Sequence, residues 1–180
     1  MSAHDPSAGF EELAMPLFDS LYNFAHWLTQ NRDEAEDLVQ ETYAKALKGF
    51  GTFQPGTNFR AWIYRILRNT FLTSRTGLAA SRTVPLEPED DQEQTLAVST
   101  ETPESILLRE AGQQQVQAAL ERVPVIYREV LLLCDVEEMS YQEIADTLAV
   151  PIGTVMSRLY RARKALRAAL AGKMREARHA

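Results

Sequence analysis

Apolar residues recur at three- and four-residue intervals through most of the chain, and no segment alternates with the two-residue period of a half-buried strand. The pattern predicts an all-α protein of two small helical domains. From Phe10 to Gln30, Leu13, Leu17, Leu21, Phe24 and Leu28 fall at helical spacing, with Pro16 marking a break or a helix start. Asn31, with Glu34 three residues on, predicts a capped second helix running to about Phe50. Gly49, Gly51, Pro55 and Gly56 make the next connection a loop. A third helix is expected over Asn58 to Arg75. Phe59, Trp62, Ile63, Ile66 and Thr70 share one side of it; Arg65, Arg68 and Arg75 share the other, with Tyr64 and Phe71 as aromatic surface nearby.

Between about Gly77 and Thr102 the periodicity vanishes into prolines, acids and small polar residues, which is linker composition. Thr102 as a cap and Pro103 at the first helical position restart the pattern. Helices are expected near 103–122, 124–136, 141–149 and 152–170, with Pro124 and Pro151 at boundaries. The chain thus divides into a domain at 10–76, an acidic flexible linker at 77–102 and a second domain at 103–172.

Ser140 to Leu166 has the organisation of a helix-turn-helix. Ser140 and Glu143 are spaced as a capping box, Ile144 and Leu148 supply a buried face, and Ala145 is small where two helices must cross. Val150 to Gly153 makes the turn. Val155, Leu159, Ala162 and Leu166 recur toward the core, leaving Thr154, Ser157, Arg158 and Arg161 for the other face. Hydroxyls and guanidinium forks near a helix N-terminus suit base edges and phosphates.

The formal net charge of -6 argues against a nucleic-acid partner until its distribution is considered. From Gly153 onward eight basic residues face one acid, Glu176, whereas Thr76 to Glu110 holds eight acids against Arg82 and Arg109. Local sign therefore carries more information than the total. Arg65 and Arg68, interleaved with aromatics, suit single-stranded or melting DNA. Asp33, Glu34, Glu36, Asp37 and Glu41 form an acidic helix start, suited to protein docking or simply to solvent. A metal reading would need further ligands from another helix, and only His26 is near in sequence. No nucleophile–base pair is evident, so neither enzyme activity nor a cofactor is expected. Cys134, the single cysteine, lies in an apolar helix and reads as core rather than redox sensor. No leader or membrane span is read from the chain, which fits a cytoplasmic protein.

Three runs, DEAEDLVQETYAKAL (Asp33–Leu47), FQPGTNFRAWIYRILRNTF (Phe53–Phe71) and SYQEIADTLAVPIGTVMSRLYRARKAL, stand in the order found in extracytoplasmic-function sigma factors, and over residues 10–75 and 105–170 the chain resembles that family. The resemblance implies an alternative sigma factor in a stress or envelope response, with core RNA polymerase and promoter DNA as partners. It further implies control by an anti-sigma factor, with membrane contact only through such a factor if it is membrane-bound. Carried over by position, Asp37, Leu38, Gln40 and Glu41 would dock the polymerase. Gln54, Gly56, Thr57 and Asn58 would capture a base of the minus-ten element, supported by Arg65, Arg68 and Asn69. Thr154, Ser157, Arg158 and Arg161 would read the minus-35 element. Two positions depart from the family pattern: Ala149 stands where glycine is common, and Met156 where many relatives have Lys or Arg. Two rival readings are a helix-turn-helix regulator that senses a ligand or dimerises, and a module that mimics a sigma factor to sequester its partner. The first would bind duplex DNA by itself; the second would lack DNA-reading side chains, against which Arg158 and Arg161 stand.

Overall fold

The computed structural model describes residues 6–78 and 112–179. Nearly all of the acidic linker, and the helix start expected at Thr102 and Pro103, lie outside them. The regular elements among the described residues are all helical. The first lobe comprises α1 (Pro6–Ala14), a 3-10 turn (Met15–Leu17), α2 (Phe18–Thr29), α3 (Arg32–Gly49) and α4 (Phe59–Leu78). The second comprises α5 (Gln113–Arg122), α6 (Val125–Leu131), a wider π turn (Leu132–Val136), α7 (Tyr141–Leu148) and α8 (Ile152–His179).

Local chemistry sets most boundaries. Pro16 sits at the start of the 3-10 turn and splits the first expected helix in two. The break shifts the phase of the apolar stripe, so Leu13 is exposed while Leu21, Phe24 and Leu28 are buried. Asn31 Oδ1 accepts from the Glu34 backbone N–H at 3.0 Å and opens α3, as its spacing predicts. Gly77 and Leu78 extend α4 beyond the expected Arg75 end, and α8 continues past residue 170 to His179.

The core of each lobe continues into the other. Phe24, Leu28, Ile63, Tyr64 and Leu67 from the first lobe belong to the same buried cluster as Val130, Leu133, Ile144, Leu159 and Leu166 from the second. Tyr64 and Phe71, expected as aromatic surface, are buried, with 0% and 3% exposure. Packing of Tyr64 against Phe24 at 5.3 Å between ring centroids accounts for part of that burial. Trp62 and Ile66, placed on the core side by periodicity, are only half-buried.

Candidate nucleic-acid interface

The loop from Phe50 to Asn58 is held by aromatic residues on its inner side. Phe53 packs edge-on against Phe59 at 5.3 Å and tilted against Trp62 at the same distance, so its backbone has a rigid base. Above that base Gln54, Pro55, Gly56, Thr57 and Asn58 are all exposed. Gly56 has φ of 88°, a conformation that disfavours any side chain with a Cβ, and Thr57 Oγ1 donates to the Gln54 carbonyl at 2.7 Å. Asn58 caps α4 by accepting from the Ala61 N–H at 3.1 Å. The loop thus presents polar side chains on a fixed frame. Arg65 and Asn69 are exposed about two and three turns further along α4.

The helix-turn-helix is built on a reciprocal cap. The Glu143 N–H donates to Ser140 Oγ at 3.1 Å while the Ser140 N–H donates to Glu143 Oε2 at 2.8 Å. The Ser140 backbone N–H, and after it the Asn58 side chain, hold the Glu143 carboxyl below its ordinary value. Helix α7 ends at Ala149, whose φ of 55° and ψ of 46° place an alanine in the left-handed region. This explains why glycine suits that position. Pro151 then offers its carbonyl to Thr154 and Val155 at 3.0 and 3.2 Å, and α8 begins.

Val155, Leu159, Ala162 and Leu166 are buried, as the periodicity predicts. The opposite face is centred differently from expectation. Ser157 is exposed, but Thr154, Arg158 and Arg161 are half-buried, and Met156, Tyr160 and Lys164 complete the outward stripe. Counting 100° per residue from the Val155–Leu166 stripe would have located that centre from sequence. Between this unit and the first lobe runs a cleft of about 480 Å³, lined by Thr57, Asn58, Trp62, Arg65, Asp146 and Val150 among others.

The buried side of α4 carries polar contacts that span the two lobes. Arg68 grips Glu129 in a two-pronged pair at 2.8 and 3.0 Å, and Glu129 is only 1% exposed. Arg158 Nη1 approaches the same carboxylate at 3.9 Å without forming a hydrogen bond. Burial pushes the Glu129 carboxyl up, against the opposing pull of Arg68 and Arg158. Tyr64 Oη donates to Glu137 Oε2 at 2.7 Å, and Arg60 donates to the Glu137 carbonyl and, at 3.2 Å, to its carboxylate. Burial first, then the Glu137 carboxylate, raises the Tyr64 hydroxyl far above its ordinary value, so it remains a donor. Asn58 Nδ2 donates to Glu143 Oε1 at 2.8 Å. Arg68, expected on an open DNA-facing side, is therefore engaged within the molecule. Arg60, Tyr64, Glu129 and Glu137 carry no local sequence signal of this pairing, because it joins positions 61 to 77 residues apart.

The acidic face of α3 remains open. Asp37, Gln40 and Glu41 are exposed, whereas Leu38 is 6% exposed and sits in the core beneath them. Leu38 therefore cannot contribute side-chain surface to docking. Its neighbours Glu34, Glu36 and Glu41 pair with Arg75, Arg32 and Lys45 at 3.1, 3.1 and 2.7 Å. Among the described residues no group of three potential ligands converges as a metal site, and no helix is long and apolar enough to cross a membrane. Cys134, half-buried, has its thiol pushed up to about 11, chiefly by burial, which disfavours the reactive thiolate.

The Sigma-70 region 2 family matches residues 14–79, and the Sigma-70 region 4 family matches residues 113–166. The chain is 37% identical over 162 residues to the ECF RNA polymerase sigma factor SigE of Mycolicibacterium smegmatis, covering 90% of this chain but 62% of that relative. It is 35% identical to the ECF RNA polymerase sigma factor EcfG of Rhodopseudomonas palustris, covering 87% of this chain and 88% of the relative. Among solved structures, the sigma factor RpoE of Bartonella quintana, crystallised with the anti-sigma factor NepR, superposes with a TM-score of 0.69 at 27% identity. That match covers 91% of this chain and 97% of the other. The two lobes thus correspond to the matches to Sigma-70 region 2 and Sigma-70 region 4. The chain belongs to the extracytoplasmic-function (ECF) family of RNA polymerase sigma factors.

Proposed function

We propose that this protein is an alternative sigma factor that binds core RNA polymerase, directs it to a subset of promoters and helps to open them, adding no catalysis of its own. The observation that carries this reading is the combination, in one chain, of an exposed rigid Gln54–Asn58 loop with a capped helix-turn-helix whose second helix presents a polar and basic outward face. Lobe 10–76 handles the minus-ten element through Gln54, Gly56, Thr57 and Asn58, with Arg65, Arg68 and Asn69 supporting DNA beside the captured base. Lobe 103–172 reads the minus-35 element from α8 through Thr154, Ser157, Arg158 and Arg161. The polymerase docks on Asp37, Gln40 and Glu41, which Leu38 anchors from below. The acidic segment at 77–102 threads through basic channels of the polymerase that otherwise hold nucleic acid.

An anti-sigma factor controls it in a stress or envelope response, by similarity to the relative crystallised with NepR. The working compartment is the cytoplasm. In vitro transcription with purified core polymerase and a promoter library tests the reading. The expected result is initiation at a restricted promoter set that requires both this protein and core enzyme. Tight duplex binding without polymerase, and no stimulation of initiation with it, would overturn the reading in favour of an ordinary helix-turn-helix regulator.

A further inference from the structure

Helix α8 buries one apolar stripe and leaves a second row of large apolar side chains in the open. Val155, Leu159 and Leu166 are at most 2% exposed, whereas Ile152 is 46%, Met156 38% and Tyr160 45% exposed. The three exposed residues recur at every fourth position, so they form one continuous ridge that advances about 6 Å per member from the first turn of the helix. Gly153, beside the start of that ridge, has no atom within 4 Å of where a Cβ would stand, so no described part of the molecule overhangs it there. Large apolar side chains scattered singly over a surface need no explanation, but a contiguous row marks a contact surface.

The surroundings of the ridge select its partner. Lys164 takes the next fourth position, and Glu176 is the only acid from Gly153 to the end of the sequence. An apolar row in a field of positive charge fits the major groove, which is bordered by phosphates and offers one apolar group on its base edges, the C5-methyl of thymine. The polar residues at the same end of α8 are partly taken up inside the molecule: Ser157 Oγ donates to the Thr154 carbonyl at 3.1 Å, and Arg158 leans toward Glu129 at 3.9 Å. In a helix-turn-helix the N-terminal residues of the second helix reach base edges, which puts Ile152 and Met156 ahead of Tyr160. We propose that Met156, backed by Ile152, reads thymine methyl groups in the minus-35 element, so that this protein selects thymine at one or two positions there by apolar contact. The unbranched, polarisable methionine side chain can mould itself around such a methyl. This rests on the sigma-factor reading above and adds a base preference to it.

The test removes the methyl group alone. Core RNA polymerase carrying the full-length protein is assayed for initiation on templates recovered from a promoter library randomised over the minus-35 element. Each thymine of that element, on either strand, is then replaced in turn by deoxyuridine, which keeps every hydrogen-bonding group. Initiation should fall about fourfold at one or two positions, the factor that corresponds to losing the burial of one methyl group. With Met156→Ala or Ile152→Ala, the thymine and deoxyuridine templates should initiate alike at one of those positions. Met156→Lys should also lose the response, and its initiation should fall more steeply with salt, because a lysine there adds a phosphate contact. A selected element without thymine, or a wild type indifferent to deoxyuridine at every position, would overturn the proposal. So would a loss that persists unchanged in both alanine variants, since another side chain would then read the methyl. Weaker pull-down of core enzyme by Met156→Ala with its deoxyuridine response intact would overturn it too, and make the ridge a polymerase contact. Absence of initiation on every library template would overturn the sigma-factor reading itself, whereas initiation that ignores the methyl overturns the base preference alone.

Discussion

Arg128 offers a stability prediction whose size follows from its partners. Its guanidinium is 7% exposed and has no carboxylate among its hydrogen-bond acceptors. Instead Nε donates to Leu120 O at 2.8 Å, Nη2 to Glu121 O and Val123 O at 3.1 Å each, and Nη1 to Leu28 O at 3.3 Å. Leu120, Glu121 and Val123 lie at the C-terminal end of α5, and Leu28 lies in the last turn of α2, so one cation caps the negative ends of two helices from different lobes. Burial lowers its pKa, yet a guanidinium remains charged. Arg128→Met keeps much of the stem packing and removes every donor. With three of the four carbonyls buried, at about 1–1.5 kcal/mol each, the expected loss is about 3–5 kcal/mol. At 2–4 °C per kcal/mol for a chain of this size, the melting temperature should fall by about 10 °C. Arg128→Lys should retain about half of the stability, because one ammonium cannot reach carbonyls spread over two helix ends. Urea unfolding followed by circular dichroism measures both. An Arg128→Met variant within about 1 kcal/mol of wild type would refute the argument, since the carbonyls would then be satisfied as well by water.

Ala149→Gly should stabilise the protein by about 0.5–1 kcal/mol, because relief of left-handed strain exceeds the added chain entropy; a lower melting temperature would contradict this. Reversing Asp37 and Glu41 to lysine together should leave the melting temperature nearly unchanged, as Glu41 has only an exposed pair with Lys45, yet weaken pull-down of core polymerase at least tenfold. Unchanged pull-down by that folded variant would remove the docking assignment. The Glu143 carboxyl titrates below its ordinary value, so its capping contribution is present above about pH 4.3 and is lost as pH falls through the depressed value. Melting temperatures of wild type and Glu143→Gln should therefore converge in acid; a gap independent of pH would show that the carboxylate charge is irrelevant to the cap.

The local parts of this molecule were legible because each is decided within one helical turn. Asn31 and Ser140 cap helices by contacts three residues away, and Val155, Leu159, Ala162 and Leu166 repeat on one face. The core sides of α4 and of the first helices were less legible. Tyr64 and Phe71 looked like surface because the packing that covers them comes from distant segments, and Leu13 lost its place when Pro16 broke the register. Arg68 illustrates the limit most clearly. Its spacing on α4 marks it as a polar-face residue, and only the approach of α6, 61 residues later, reveals that a carboxylate meets it there. Arg158 was assigned to the outward face of α8, but it lies on the flank of the outward stripe and leans toward the same carboxylate.

The π turn at Leu132–Val136 has a consequence for this meeting of lobes. Glu129 and Glu137 are eight residues apart, and along an unbroken α-helix eight residues end about 80° past two full rotations. The two carboxylates would then point to different sides, and only one could face α4. Opening the ring to the i→i+5 bond seen between the Glu137 N–H and the Leu132 carbonyl, at 2.9 Å, adds a residue to the turn, roughly 4.4 per rotation. The accumulated angle then falls within about 10° of two full rotations. A single extra residue acts as a phase corrector that brings both glutamates to bear on the same neighbour. Removing one residue from the turn would swing Glu137 off α4 while leaving Glu129 in place.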